Sequence, residues 1–372
     1  MVNDKRLNAS SASIPTPFLL VDEAIVRKNI RKVQDYGDRH GFAVRPHVKT
    51  HKSLRITRMQ LDAGAVGVAV AKVGETQVMA AIENLDILVA YPAVGAPRAR
   101  SLAKLARHHN ISVAADTEYL IDELAHAAGE QAVTIGILIM FDAGLHRCGV
   151  ADPGQLARLA RLAATRKGLR FDGVQIYLGH LYGDAARSAD SFKTINRLWE
   201  PAHEALCAAG LRPRIVSSGS TPSVFHTHRL RHVTEIRVGT AVYQDYFSLK
   251  FNHCTLDECA ARVVATVVSD VVPGQVIIDA GAKALSAKQL LRNENLEMGF
   301  IPEYPEARIF RLHEEHGWVD VSRCKAPPRI GQRLSIVPVA VSHCVNQYDE
   351  FHLLMTGGGV EKESVDARGC YH

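Results

Sequence analysis

The chain of 372 residues contains no apolar run close to the ~20 residues that a membrane helix requires. It has no CxxC pair: Cys148, Cys207, Cys254, Cys259, Cys324, Cys344 and Cys370 are scattered and odd in number. That pattern argues against a disulfide framework and against a cysteine-only zinc site, and reads as reduced thiols. It has no basic block either. The 44 Lys and Arg against 39 Asp and Glu, a formal charge of +5, are spread along the chain, which gives nucleic acid or a membrane surface little to bind and leaves an anionic small molecule compatible. No fixed-period repeat and no low-complexity segment is present. Residues Met1 to Ser13 are polar and lack the apolar core of a secretory signal, so the expected location is the cytoplasm. With 47% hydrophobic and 22% charged residues, the composition is that of a globular protein with one large domain and a smaller one.

Short β-branched runs recur at Phe18 to Val21, Ala43 to Val48, Val66 to Val70, Asp86 to Ala90, Ile111 to Ala114, Val133 to Met140, Gly173 to Tyr177, Arg214 to Ser217 and Val233 to Val238. Segments such as Val26 to His40, Arg98 to His109, Pro153 to Arg166 and Ser191 to Ala209 lie between them, with apolar residues at three- and four-residue spacing. This alternation predicts an α/β fold, and fits a (β/α)8 TIM-type barrel better than a doubly wound sheet. After Asp257 strands dominate (Ala260 to Val271, Gln275 to Asp279, Ala307 to Leu312, Gly331 to Val337, Glu350 to Met355), punctuated by Pro273-Gly274, Pro327-Pro328 and Gly357-Gly358-Gly359. The expected domains are therefore a barrel over residues 1–256 and a smaller β-rich domain over 257–372, with the extreme N-terminus free to pack on the latter.

The chemistry concentrates in Arg45-Pro46-His47-Val48-Lys49-Thr50-His51-Lys52, at the C-terminal end of a predicted strand, where barrel enzymes carry their reactive groups. Alternation along a strand places Arg45, His47 and Lys49 on one face, so neighbouring cations are expected to lower the Lys49 ammonium pKa, as an imine-forming lysine requires. Taken alone, the octapeptide reads equally well as a basic surface loop. Gly219-Ser220-Thr221-Pro222-Ser223 and Arg237-Val238-Gly239-Thr240 follow two later strands and offer hydroxyls and backbone N–H groups suited to a phosphate. Most Gly- and Ser-rich loops are only turns; two consecutive ones beside a candidate imine lysine favour phosphate binding.

These residues are ordered as in a known family. Thr16 to Asp22, Arg45 to Lys52, Gly144-Leu145-His146-Arg147-Cys148-Gly149, Ser218 to Pro222, Thr234 to Gly239, Asp279 to Ser286 and Glu314 to Gly317 resemble the D-threonine aldolase and D-serine dehydratase family of pyridoxal-phosphate enzymes, which share the alanine racemase barrel (fold type III). The resemblance covers nearly the whole chain. It implies that Lys49 forms the Schiff base with pyridoxal 5'-phosphate, with His47 beside it, and that Ser220, Thr221, Gly239, Thr240 and Tyr243 form the phosphate cup. It implies Arg147 near the cofactor's phenolic oxygen and Arg237 facing its pyridine nitrogen, which would weaken the electron sink. Gln175 and Tyr177, at a strand end, point towards the same rim, although Tyr177 reads as readily as a barrel-core residue. His51, and after them His180 and Tyr182, are candidate proton carriers.

One segment departs from the family. Where its metal-dependent members carry a His and a Cys or Asp two residues apart, this chain reads Pro338-Val339-Ala340-Val341-Ser342-His343-Cys344-Val345-Asn346, so Ala340 and Ser342 occupy the usual ligand positions. A divalent metal is left open: His343 and Cys344 are the nearby candidates, and on a strand they would face opposite sides. His343 is alternatively a metal-free acid for the departing hydroxyl. The leading function is a lyase for D-configured β-hydroxy-α-amino acids, by retro-aldol cleavage or dehydration. A metal-independent amino-acid racemase or epimerase, and a non-catalytic pyridoxal-phosphate carrier, stand as alternatives. The resemblance also implies a homodimer. For the substrate carboxylate, His343, Arg311 and Lys283 are candidates, the last two reading better as solvated surface charges.

Overall fold

The computed structural model describes residues 13–292 and 295–372; apart from Ser13, the polar leader lies outside them. Two compact units emerge. One comprises Arg31–Lys49, Leu54–Gly239 and Gly369–His372; the other comprises the chain up to Ile30, Thr50–Ser53 and Thr240–Arg368.

The first unit is an eight-stranded parallel sheet. Its strands, in chain order, are Ala43–Val44, Val68–Val70, Asp86–Val89, Asn110–Ala115, Ile135–Phe141, Leu169–Ile176, Ile215–Ser218 and Glu235–Ile236. The sheet closes on itself. Ala43–Val44 pairs with Glu235–Ile236, and on its other side a bridge joins His47 to Ala69, with hydrogen bonds from the Val66 N–H to the Val44 carbonyl and from the Ala69 N–H to the Pro46 carbonyl. Strands such as Ile135–Phe141 are buried at every residue, as expected of a parallel strand covered on both faces. Helices alternate with them, and local chemistry sets their starts: the Thr117 hydroxyl accepts from the Leu120 N–H, and Asp152, followed by Pro153, accepts from the Gln155 N–H.

The second unit holds a nine-stranded, mostly antiparallel sheet. Its centre is Ala261–Ser269, which pairs with Phe18–Asp22, Gln275–Ile278 and Arg333–Pro338. Phe18–Asp22, which by sequence opens the barrel's βα alternation, belongs to this sheet instead, antiparallel to Ala261–Ser269 and parallel to Glu350–Leu354. An apolar run declares that a strand is buried; it does not declare which sheet buries it. Strands Gly317–Asp320 and Val360–Ser364 add to the expected set. The stretch containing His343 and Cys344 is a short helix, Val341–Val345, rather than a strand, so the opposite-face argument does not apply to it. Among the described residues no helix is long and apolar enough to cross a membrane.

Candidate active site

In a closed parallel barrel the C-terminal ends of all strands form one rim, and the predicted residues of the first unit gather there. Lys49 lies in a 3-10 turn, Val48–Thr50, after the first barrel strand. His47 is anchored by its N–H to the Val238 carbonyl at 2.8 Å, and its Nδ1 lies 3.5 Å from the Lys49 N–H. Although Lys49 retains solvent-accessible area, protein surrounds its amine closely. Desolvation holds its ammonium below the ordinary lysine range, Arg147 and Arg237 push the same way, and Glu75 opposes them.

The expected source of that effect is corrected by the structure. Arg45 does not act on Lys49 as a bare cation: it is buried and ion-paired to Glu235 at 2.8 Å and to Asp86 at 2.6 Å. The strand ends at Val44, so alternation does not run on to Lys49. The cations that act on Lys49 come from two other rim segments, after strands Ile135–Phe141 and Glu235–Ile236. Glu75 was not legible as part of the site. Its buried carboxylate accepts from the Ala71 and Lys72 N–H groups at the start of helix Val73–Met79, and in sequence it resembles any acid in a first helical turn.

Arg147 is exposed, with its guanidinium carbon 5.0 Å from the centre of the Tyr177 ring. Tyr177 directly follows strand Leu169–Ile176, in which Gln175 is buried with its Oε1 unpartnered. Arg237 is also buried. One Nη reaches the Ile176 carbonyl at 3.4 Å, while its Nε and other Nη have no partner. Burial pulls its pKa down to about 10, against Glu235, which raises it. Ser218 ends its strand with a buried, unpartnered hydroxyl, and Gly219 follows at φ +131°. A Cβ on Gly219 would lie 2.8 Å from the Arg237 carbonyl oxygen, so only glycine allows these two segments to approach. Ser220 then caps the 3-10 helix Thr221–Arg229, its Oγ 2.8 Å from that of Ser223; Thr221 and Gly239 are half-buried at the same rim.

Unsatisfied buried donors and acceptors are rare in native proteins. Arg237, Ser218 and Gln175 together fit a flat, polar, acceptor-bearing group, and the Gly219–Thr221 turn fits an anion. The residues present are those that pyridoxal phosphate needs.

The remaining predicted residues fall in the second unit. Thr240 opens a 3-10 turn, and Tyr243 is buried with an unpartnered hydroxyl, its phenol pushed well up by burial. His51 is fully buried, its Nδ1 accepting from the Ser53 N–H at 3.1 Å and its ring edge-on to Tyr243. His343 is exposed, and Cys344 is buried with its Sγ 3.2 Å from the Ala284 carbonyl. Among the described residues no three His, Cys, Asp or Glu side chains are grouped to hold a metal ion. Lys283 pairs with Glu315 at the surface, and Arg311 stacks on Trp318.

Barrel, rim lysine and arginines define a pyridoxal-phosphate enzyme of the alanine racemase type. The chain belongs to this family: residues 21–246 match the alanine racemase N-terminal domain, and residues 260–354 match a serine dehydratase domain. It is 30% identical to the D-threonine aldolase of Arthrobacter sp, over 96% of this chain and 94% of that protein. Among solved structures, the D-threonine aldolase from Filomicrobium marinum matches with a TM-score of 0.88 at 29% identity, covering 97% of both chains. The D-threo-3-hydroxyaspartate dehydratase from Delftia sp. HT23 matches with a TM-score of 0.85 at 26% identity, covering 95% of this chain and 98% of that one.

Proposed function

We propose that this protein is a pyridoxal-phosphate-dependent lyase for D-configured β-hydroxy-α-amino acids, cleaving Cα–Cβ or expelling the β-hydroxyl. The observation that carries the reading is the Lys49 amine, deprotonated more easily than an ordinary lysine, on the same rim as Arg237, whose Nε and one Nη are buried without a partner. The whole-length likeness to an aldolase and a dehydratase supports it.

Lys49 would hold the cofactor's aldehyde through Nζ, Ser220, Thr221 and Gly239 its phosphate, and Arg237 its ring nitrogen. When bound, pyridoxal phosphate supplies an electron-accepting ring conjugated to the substrate's amino nitrogen. Arg237, with a pKa of about 10, stays protonated at neutral pH and offers only donors, so the nitrogen it faces is kept as an acceptor. Lys49, with its ammonium destabilised, is suited to take a proton from the substrate's Cα or return one to it. The Arg147 guanidinium, fixed over Tyr177, is a ready partner for an anionic oxygen.

The test is product analysis by mass spectrometry after incubation with pyridoxal phosphate and D-threonine or D-threo-3-hydroxyaspartate, the L-enantiomers serving as controls. Glycine with an aldehyde, or a 2-oxo acid with ammonia, is expected from the D-forms only. Epimerisation alone would overturn the lyase reading in favour of a racemase. A cytoplasmic homodimer completes the proposal, its stoichiometry open to sedimentation equilibrium.

A further inference from the structure

The loop that carries Arg147 is built around one carboxylate. Asp142 Oδ1 accepts from the backbone N–H groups of Gly144, Leu145 and His146 at 3.0, 2.9 and 3.1 Å. Its Oδ2 accepts from the His146 N–H at 3.1 Å and lies 3.0 Å from His146 Nδ1. The loop is closed at its base by the Asp142 N–H to the Val150 carbonyl, and at its far end the Gly149 N–H reaches Asp116 Oδ2 at 2.9 Å. Its backbone is bent hard, with φ of +108° at Gly144, +54° at His146 and +106° at Gly149. An acceptor that gathers the N–H groups of a turn so shaped stabilises its conformation.

Arg147 itself has no carboxylate partner among the described residues; its guanidinium lies over the Tyr177 ring. A guanidinium without an ion pair takes its place from the backbone that bears it. We propose that Asp142 is the positioning residue for Arg147: its carboxylate shapes the Gly144–Gly149 turn and so sets the guanidinium over Tyr177, within electrostatic reach of Lys49. The inference rests on the proposed function only in taking Lys49 as the reactive amine.

The charged and titratable groups that act on Lys49 are Arg147, Arg237 and Glu75, with the His47 ring against its backbone N–H. Loosening Arg147 removes one of the two cations, so the amine should then titrate at higher pH. The experiment is competitive acetylation of the cofactor-free, full-length protein across a pH series, with the Lys49 peptide quantified by mass spectrometry. Asp142→Ala is expected to raise the labelling midpoint by about half a pH unit or more, and Arg147→Ala to do the same. Asp142→Asn, which keeps an acceptor at Oδ1, should restore most of the wild-type midpoint.

The double variant decides between positioning and a general structural effect. If Asp142 acts through Arg147, adding Asp142→Ala to Arg147→Ala moves the midpoint no further. Additive shifts, or an unchanged midpoint in Asp142→Ala, overturn the proposal. Should Asp142→Ala not fold, Gly144→Ala carries the same test. A Cβ there meets nothing nearer than His180 Nε2 at 3.7 Å, but the φ disfavours alanine and strains the same turn. Its midpoint should also rise, and an unchanged one counts against the proposal. Turnover plays no part in this readout, so failure of the lyase reading would leave the result intact.

Discussion

Arg45 and Glu235 meet at 2.8 Å with both side chains about 95% or more buried, and Ser217 donates a hydroxyl to the far carboxylate oxygen at 2.5 Å. Asp86 closes the other side of the guanidinium. Glu235→Ala leaves Arg45 with one half-exposed partner, and is expected to cost about 3 kcal/mol of stability. Urea unfolding of the pure protein measures this; Glu235→Gln, which retains an acceptor, should cost less.

Lys49 should mark itself chemically. Borohydride reduction in the presence of pyridoxal phosphate is expected to fix the cofactor's mass on the Lys49 peptide, and Lys49→Ala to lose that label together with turnover. Removing the opposing charge in Glu75→Gln should shift the acetylation midpoint of Lys49 to lower pH, by about half a unit, whereas Arg237→Ala should move it up. A shift of the opposite sign in either variant would show that the charges do not act on the amine.

Asp245 gives a pH signature in the second unit. It is buried, its carboxyl pushed up to about 6 from an ordinary value of 3.8, although it accepts from the Ser248 and Val341 N–H groups. A carboxyl whose folded pKa is raised stabilises the fold most when protonated, below about pH 4, and that contribution is lost as pH rises through about 6. The loss is on the order of 3 kcal/mol. Asp142 and Asp172, both held below the ordinary range, act in the opposite sense and only at more acid pH. Asp245→Asn should therefore flatten the dependence of the urea midpoint on pH between 4 and 6, and an unaltered slope would assign it elsewhere.

Gly219→Val forces a branched residue into φ +131° with its Cβ against the Arg237 carbonyl. Cofactor retention after dialysis, followed by absorbance, should fall at least about tenfold, with a stability loss of roughly 1–3 kcal/mol. Ser220→Ala should weaken retention less, since it leaves the backbone path in place.

Ala340 offers no donor and Ser342 a poor one, and Cys344 is buried with its thiol pushed up by burial. Turnover after exhaustive dialysis against a chelator should stay within about twofold of the untreated enzyme. Activity that collapses and returns with one divalent ion would instead point to His343 or to ligands outside this segment.

The parts of the site that were legible in the sequence are those in which one short segment carries its own chemistry. Lys49, in a basic stretch a few residues past a short strand, and the Gly219–Thr221 turn are proposed from their own segments without distant information. Arg45 was misread because alternation presumes that the strand continues, whereas the chain turns into a 3-10 helix at Val48; its true partner, Glu235, lies 190 residues away. Glu75 was hidden by doing two things at once: it caps its own helix and acts electrostatically on a lysine from another segment. The barrel strands were readable because each is buried on both faces, while the helix at Val341 is too short to show a period.

The strand Phe18–Asp22 has one further consequence, for synthesis. It leaves the ribosome long before its neighbours in the sheet, Ala261–Ser269 and Glu350–Leu354. Until those strands are made this strongly apolar segment has two unsatisfied edges, while the barrel strands that follow it can pair one after another as they emerge. Completion of the second sheet must wait for Glu350–Leu354 and Val360–Ser364. The N-terminal strand is therefore the segment on which a chaperone would act, and the place where a stalled or truncated chain would begin to aggregate.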